Sequence, residues 1–372
     1  MILVNNPGSW SHIHPPLRHA AWNGLTPTDL VFPFFLFIVG VAISLSFARR
    51  ADAGATRGQL VRKILTRAGI IFLMGLFLNG FPFNLPLNAA MAARFSWSSI
   101  PDSLQTLRIP GVLQRIALCY LLAGLTVVLT GRTRNRVLVT AGFLLLYELL
   151  MRLPLVGGWG CGSFEMADNF VRWADLRLLG EAHLYRVEGV PFDPEGLVST
   201  LPAAATTMAG FFTGEFIRGS RPLTSKFRQL FQVGSGLVIA GLFMCRLEPV
   251  NKQLWTVSYV VLTGGLAMVT LAFSSWMMDV RKWRTGTLPA VVFGSNPLVV
   301  FVGSGILART LALVQIPDAH GNSISLSRSL YEGIFLPLAG PENGSFLYAL
   351  TSVVFWLGIL WILYARRLFI KI

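Results

Sequence analysis

Long stretches without a single charged residue constrain this 372-residue chain more than any other feature. They cover 30–48, 68–80, 116–131, 196–214, 229–245, 253–278, 285–308 and 343–365, and a shorter one at 137–151 is interrupted only by Glu148. Most reach or approach the roughly 20 residues a helix needs to cross a bilayer. A transmembrane β-barrel would instead alternate apolar and polar residues in pieces of about ten. These runs do not alternate, so the expected fold is an all-α polytopic membrane protein. Composition agrees, with 53% hydrophobic residues and 13% charged, where soluble domains carry about 25% charged residues.

The net charge of +14 would suit a nucleic-acid partner if the charge were gathered in one patch, but its distribution reads as topology. Segments 49–67, 132–136, 218–228, 281–284 and 366–371 hold 19 of the 31 basic residues, and Asp52 is the one acid inside them. Basic and neutral loops alternate, as the positive-inside rule expects. No nucleic acid is therefore expected as a partner. Nine complete spans put the C-terminus with Arg366–Arg367 in the cytoplasm and the loops 81–109, 152–195 and 309–342 outside. Residues 5–28 also fall outside with only four apolar residues ahead of them, so a tenth span is expected to be truncated at its start. The whole of 1–372 is expected to form a single transmembrane domain, with an outer catalytic loop within 1–28 and a long outer loop at 152–195.

Three cysteines, Cys119, Cys161 and Cys245, form no CxxC pair and suggest no disulfide framework. The glycines read as small residues that let membrane helices approach closely. No internal repeat is visible, which disfavours the transporter architectures built from two related halves.

Ionisable residues at bilayer depth cost at least about 2.5–3.5 kcal/mol on insertion scales, which marks them for function. Arg115, just inside the run 116–131, can snorkel, pair with a buried carboxylate or hold a ligand anion. Asp29 opens the run 30–48 and fits a helix start capped by Thr26 or Thr28, where the dipole favours an acid. Glu148 and Glu215 can each partner a basic group. Asn296–Pro297 interrupts 285–308, and broken helices at membrane depth tend to line cavities. All five histidines fall on the outer side, His12, His14 and His19 among them, but no ligand set for a metal accompanies them. A histidine near neutral pH suits proton transfer, and His19, ten residues before Asp29 and beside Trp22 and Asn23, is the best placed.

The block HAAWNGLTPTDLVFPFFLFIVG from His19 to Gly40, RIPGVLQRIALCY at Arg108–Tyr120, FDPEGLVSTLPAAATTMAGFFTGE at Phe192–Glu215, PVNKQLWTVSYV at Pro249–Val260 and the closing LFIKI resemble a known family. It is that of the heparan-α-glucosaminide N-acetyltransferases and their bacterial relatives, the transmembrane acyltransferases. The resemblance implies transfer of an acetyl group from cytoplasmic acetyl-CoA to the amine of a glucosamine-type sugar or glycan across the cell's inner membrane. It places the catalytic histidine on His19 and its partner asparagine on Asn5. Trp22, Asn23, Asp29, Arg108 and Glu195 are then candidate acceptor contacts, and Arg115 and Asn296 candidate contacts for acetyl-CoA, with no metal expected. His19 would act as general base, either directly or after forming an acetyl-imidazole. The family also implies a homodimer surrounded by membrane lipid. The rival reading is a carrier for N-acetylglucosamine or a related sugar, and a third is an O-acetyltransferase.

Overall fold

The computed structural model describes residues 1–87, 92, 96–97, 99–152, 162–317 and 321–370. Cys161 and His320 therefore lie outside the described residues. Helices dominate: α1 (Val31–Asp52), α2 (Arg57–Gly80), α3 (Val112–Leu129), α4 (Thr133–Arg152), α5 (Phe170–Leu179), α6 (Thr200–Arg218), α7 (Leu223–Met244), α8 (Val257–Ser275), α9 (Leu288–Ser295), α10 (Pro297–Leu313) and α11 (Pro341–Ala365). Two short antiparallel hairpins accompany them, β1 (Arg186–Val187) with β2 (Val190–Pro191) and β3 (Gln315–Pro317) with β4 (Ser323–Ser325).

Each of the nine uncharged runs falls on a helix, but they differ in how apolar that helix is. Five helices are long and apolar enough to cross a membrane: Pro27–Asp52, Val112–Leu129, Leu223–Met244, Val257–Val280 and Pro341–Ala365. The pair α9 and α10, bent by 81° at Asn296, makes a sixth if it counts as one broken span. Helices α2, α4 and α6, with 24, 20 and 19 residues, have the length at about 1.5 Å per residue but more polar sequences. Arg57, Arg62, Lys63 and Arg67 occupy the first turns of α2, and Thr206, Thr207 and Thr213 lie buried along α6.

Local sequence explains the element starts that position the site. Ahead of α1, Thr26 caps the turn Pro27–Leu30 in a capping box with Asp29, and Pro27 takes the first helical position, where its missing N–H costs nothing. The expectation of a Thr-capped, acid-bearing helix start holds. Thr56 and Gln59 form a second capping box at α2. Helices α1 and α6 cross at glycines: a Cβ on Gly40 would collide with the backbone of Thr207, and one on Gly210 with that of Phe37. Their close approach brings Phe32 and Leu36 of α1 against Ala203, Ala204 and Ala205 of α6, in a core shared with α2, α3 and α8.

Candidate active site

The chain between Arg18 and Asp29 folds back on itself, because the Asp29 carboxylate gathers the loop. Its Oδ2 accepts from the backbone N–H of Ala20 and Thr26, both at 3.1 Å, and faces the Thr26 hydroxyl at 2.9 Å. Its Oδ1 lies 2.6 Å from Nδ1 of His19. Two lone pairs cannot approach that closely without a proton between them, so Nδ1 carries a hydrogen and donates it. The Nε2 lone pair is then left for chemistry, the arrangement in which an acid orients an imidazole base. Asp29 is 1% exposed and the His19 side chain 44%, so the acid is sheltered while the ring is open to a substrate.

A second loop, 249–256, closes over the first. Asn251 donates through Nδ2 to the carbonyl of Trp22 and to Oδ1 of Asn23, each at 3.0 Å, while its Oδ1 accepts from the Leu254 N–H at 2.8 Å. Gly24 N–H reaches Val250 O at 2.8 Å and Gln253 reaches Ala21 O at 3.2 Å. These contacts deliver Lys252, whose Nζ lies 3.3 Å from Asp29 Oδ1 and 3.0 Å from His19 Nδ1. Burial pushes the Lys252 ammonium below its usual value, against the pull of the Asp29 and Glu195 charges. Tyr259 of α8 donates to the Asp29 backbone carbonyl at 2.7 Å.

Trp22 is tied into the fold: its indole donates to Phe164 O at 2.9 Å and meets Phe192 edge-on at 5.2 Å. Arg108 forks onto Asp193 at 2.8 and 2.7 Å, reaches Glu195 at 2.6 Å, and lies 4.8 Å over the Tyr185 ring. Burial alone would lower the Arg108 guanidinium. The hydrogen bonds and charges of Asp193 and Glu195 outweigh it and raise it above its usual range. Asp193 is fully buried and also accepts from the N–H groups of Tyr185 and Glu195. Nearby Asp175 takes the Leu197 N–H at 2.9 Å. Burial pushes its carboxyl up to about 7, the Leu197 N–H opposing, Asp193 adding and Arg115 opposing.

Arg115, one turn into α3, is fully buried with its guanidinium 5.3 Å over Trp255. It donates to Gly196 O at 3.0 Å and to the Ser199 hydroxyl. Its Nε and Nη1 have no hydrogen-bond partner among the described residues. In place of the snorkel or the carboxylate pair that the sequence allowed, backbone and hydroxyl acceptors and an aromatic face hold it. Trp255 itself adopts a positive φ of 57°, a conformation that bulky side chains rarely hold unless their surroundings fix it.

Two site candidates lie elsewhere. Asn5 ends the single turn Ile2–Asn5 and lines a cavity with Trp10, Ser304 and Leu307, whereas the partners of His19 Nδ1 are Asp29 and Lys252. Asn296, at the bend between α9 and α10, donates to Leu368 O at 3.0 Å and accepts from Ile370 N–H at 2.8 Å. Its amide clamps the segment 368–370 against the helix bend. The other two histidines of the first loop are held by neighbours, His12 by Ser9 at 3.3 Å and His14 by Asn343 at 3.2 Å. His183 binds Leu107 O at 2.7 Å. Glu148 pairs with Arg152 at 2.6 Å and Glu215 with Arg136 at 2.7 Å. Among the described residues no three His, Cys, Asp or Glu side chains are gathered as a metal site.

Lys252, Asn251 and Asp193 are the residues sequence reasoning missed. A signal for Lys252 existed: of the five lysines, it alone lies outside the five basic segments.

The two loops that build this centre carry the HAAWNG and PVNKQLW blocks, and comparison with known proteins returns the same family. The heparan-alpha-glucosaminide N-acetyltransferase of Homo sapiens is 26% identical over an alignment covering 100% of this chain and 58% of that protein. The protein of that name from Mus musculus is 24% identical over the same shares. The chain is similar to both proteins over its whole length. It spans about 58% of the length of these relatives. No family model matches it.

Proposed function

We propose that this protein is a membrane acetyltransferase, passing an acetyl group from acetyl-CoA at the cytoplasmic face to the amine of a glucosamine-type sugar at the outer face. The observation that carries the proposal is His19, oriented through Nδ1 by buried Asp29 and open at Nε2. The acceptor amine attacks the thioester carbonyl, Nε2 takes the proton the amine releases, and the CoA thiolate leaves. Geometry of this kind is what general-base catalysis requires. Arg108 and Glu195 bound the acceptor side, with Trp22 and Asn23 at its edge.

A place for the donor exists between the helices. A cavity of about 720 Å³ is walled by Phe35, Ile38, Val39 and Ala42 of α1, Ile71 of α2, Ile116 and Tyr120 of α3, and residues at the α9–α10 bend. Its charged lining residue is Arg67, whose guanidinium lies 5.0 Å over Tyr120 and whose Nε has no hydrogen-bond partner among the described residues. Arg67 also lines a surface groove with Gln59, Arg62 and Lys63. An anionic nucleotide suits the basic groove and a pantetheine arm the apolar cavity. Phe35, which lines the cavity, follows Asp29 by six residues on the same chain segment, about 9 Å of helix rise.

With α2, α4 and α6 counted as spans, this reading has nine crossings, a cytoplasmic C-terminus and the basic loops on the donor side. The setting is an inner membrane, the whole chain acts as one unit, and a homodimer is the assembly. The test uses purified protein with labelled acetyl-CoA and glucosamine-type acceptors. The expected results are label on the amine and a rise in melting temperature with acetyl-CoA that Arg67→Gln reduces. Counterflow of labelled sugar in liposomes without either result would replace the enzyme with a carrier.

A further inference from the structure

One carboxylate, Asp29, stands between two bases. Its Oδ1 is 2.6 Å from His19 Nδ1 and 3.3 Å from Lys252 Nζ, and the two nitrogens are only 3.0 Å apart. Three charges of one negative and two positive cannot all be held there cheaply, because like charges at this separation repel strongly where solvent is scarce. Lysine is intrinsically the stronger base by about four pH units. Lys252 therefore keeps its proton and claims Asp29 as counter-ion, and the imidazole remains neutral, with one proton on Nδ1. We infer that Lys252 is a positioning residue that holds His19 in its neutral, base-competent form by occupying the charge of Asp29.

The surroundings agree. A carboxylate beside an imidazole favours the ring's charged form, and a cation on the same carboxylate opposes that pull. The other charges facing the group are few. Glu195 acts on Lys252 from the outer loop, and Arg108 holds Glu195. Arg18, next to His19, turns its Nε to Ile13 O at 2.7 Å. Tyr259 binds the Asp29 backbone, not its side chain. Lys252 is thus the cation placed against the imidazole, and Asn251 next to it is buried and doubly anchored to the first loop. The cation is fixed by the fold and does not depend on a long, free side chain finding its partner.

The inference rests on the reading of His19 as base, but it can be tested apart from acetyl transfer. The measurement is the pH dependence of His19 carbethoxylation by diethyl pyrocarbonate, followed on the His19 peptide by mass spectrometry. Only the neutral ring reacts, so the midpoint reports proton binding. With Lys252→Met the midpoint is expected to move to higher pH by about one unit or more, a tenfold change in proton affinity. Lys252→Arg, which keeps the charge, should leave it within a few tenths. Lys252→Gln keeps a donor for Asp29 without the charge and should behave like Lys252→Met, which covers the case in which the methionine variant does not fold. A midpoint that stays put or falls in both neutral variants overturns the inference, whatever the activity. If transfer is measurable, the acid limb of kcat/KM should move in the same direction. A shifted midpoint in a protein that transfers no acetyl group would leave this inference standing and remove the acetyltransferase reading.

Discussion

Two ion clusters lie close enough that Glu195 of one acts on Lys252 of the other, yet they are built to opposite ends. In the first, Arg108 meets Asp193 with a two-pronged fork and Glu195 with a third bond, and Asp193 is completely buried with two backbone N–H groups filling its remaining lone pairs. Every group there has its partner, which is how a fold fixes a long outer loop. In the second, Asp29 is equally buried and equally filled, but it holds an imidazole that is nearly half exposed and has a nitrogen to spare. Saturation marks the cluster that shapes the protein. One open valence on an otherwise saturated cluster marks the one that does chemistry.

The comparison can be broken most directly at His19. His19→Ala is expected to lower acetyl transfer by about a hundredfold to ten-thousandfold, the range for a general base, with little change in thermal stability. An unchanged rate in purified protein would remove the distinction between the clusters. Arg108→Met should do the reverse. It strands Asp193 and Glu195 without their cation, and breaking such a buried pair costs about 3–5 kcal/mol. The expected readout is loss of folded protein in detergent rather than a specific loss of turnover. Should the variant remain stable and merely inactive, Arg108 serves the acceptor side it borders and not the stability of the fold.

Asp175 sharpens the picture in pH. Its folded-state carboxyl sits at about 7 against an ordinary value of 3.8, so between those values the folded chain holds a proton that the unfolded chain has lost. Stability therefore falls as pH rises through that window and levels off above it. Asp175→Asn should remove the slope, raising the melting temperature at pH 8 more than at pH 5. A parallel pair of pH profiles would contradict this. The smallest effect is expected at the link between the two loops. Asn251→Ala frees the Trp22 and Asn23 contacts and orphans the Leu254 N–H, at about 1–3 kcal/mol. Turnover should fall along with stability, since Lys252 is carried by the same loop.

Much of this was legible in the sequence, and the gaps have physical causes. The uncharged runs located the helices, because a stretch that water cannot solvate must be buried in lipid or protein. They could not separate those two fates. Helix α6, polar with threonines, is covered mostly by its neighbours, with Thr206 and Thr207 fully buried. His19 and Asp29 were both visible, one as a base and one as a helix cap. The fact that one carboxylate does both jobs depends on a turn that no periodicity encodes. Lys252 was hidden by a separation of 233 residues. Asn5 came from resemblance alone, whereas Asp29 stands at the imidazole through a contact within its own loop. Asn296 was read from the helix break it sits in, and the break is real, but its amide faces the chain's own tail.

The same separation of 233 residues has a consequence for how the protein is made. At about 5–20 residues per second, on the order of tens of seconds pass between synthesis of His19 and synthesis of Lys252. During that interval the first loop lacks its contacts with the 249–256 loop, and its histidine and acid face each other without a cation. The histidine and acid of the centre are thus made well before the cation that completes it. A nascent chain can therefore insert its first helix long before it can do chemistry.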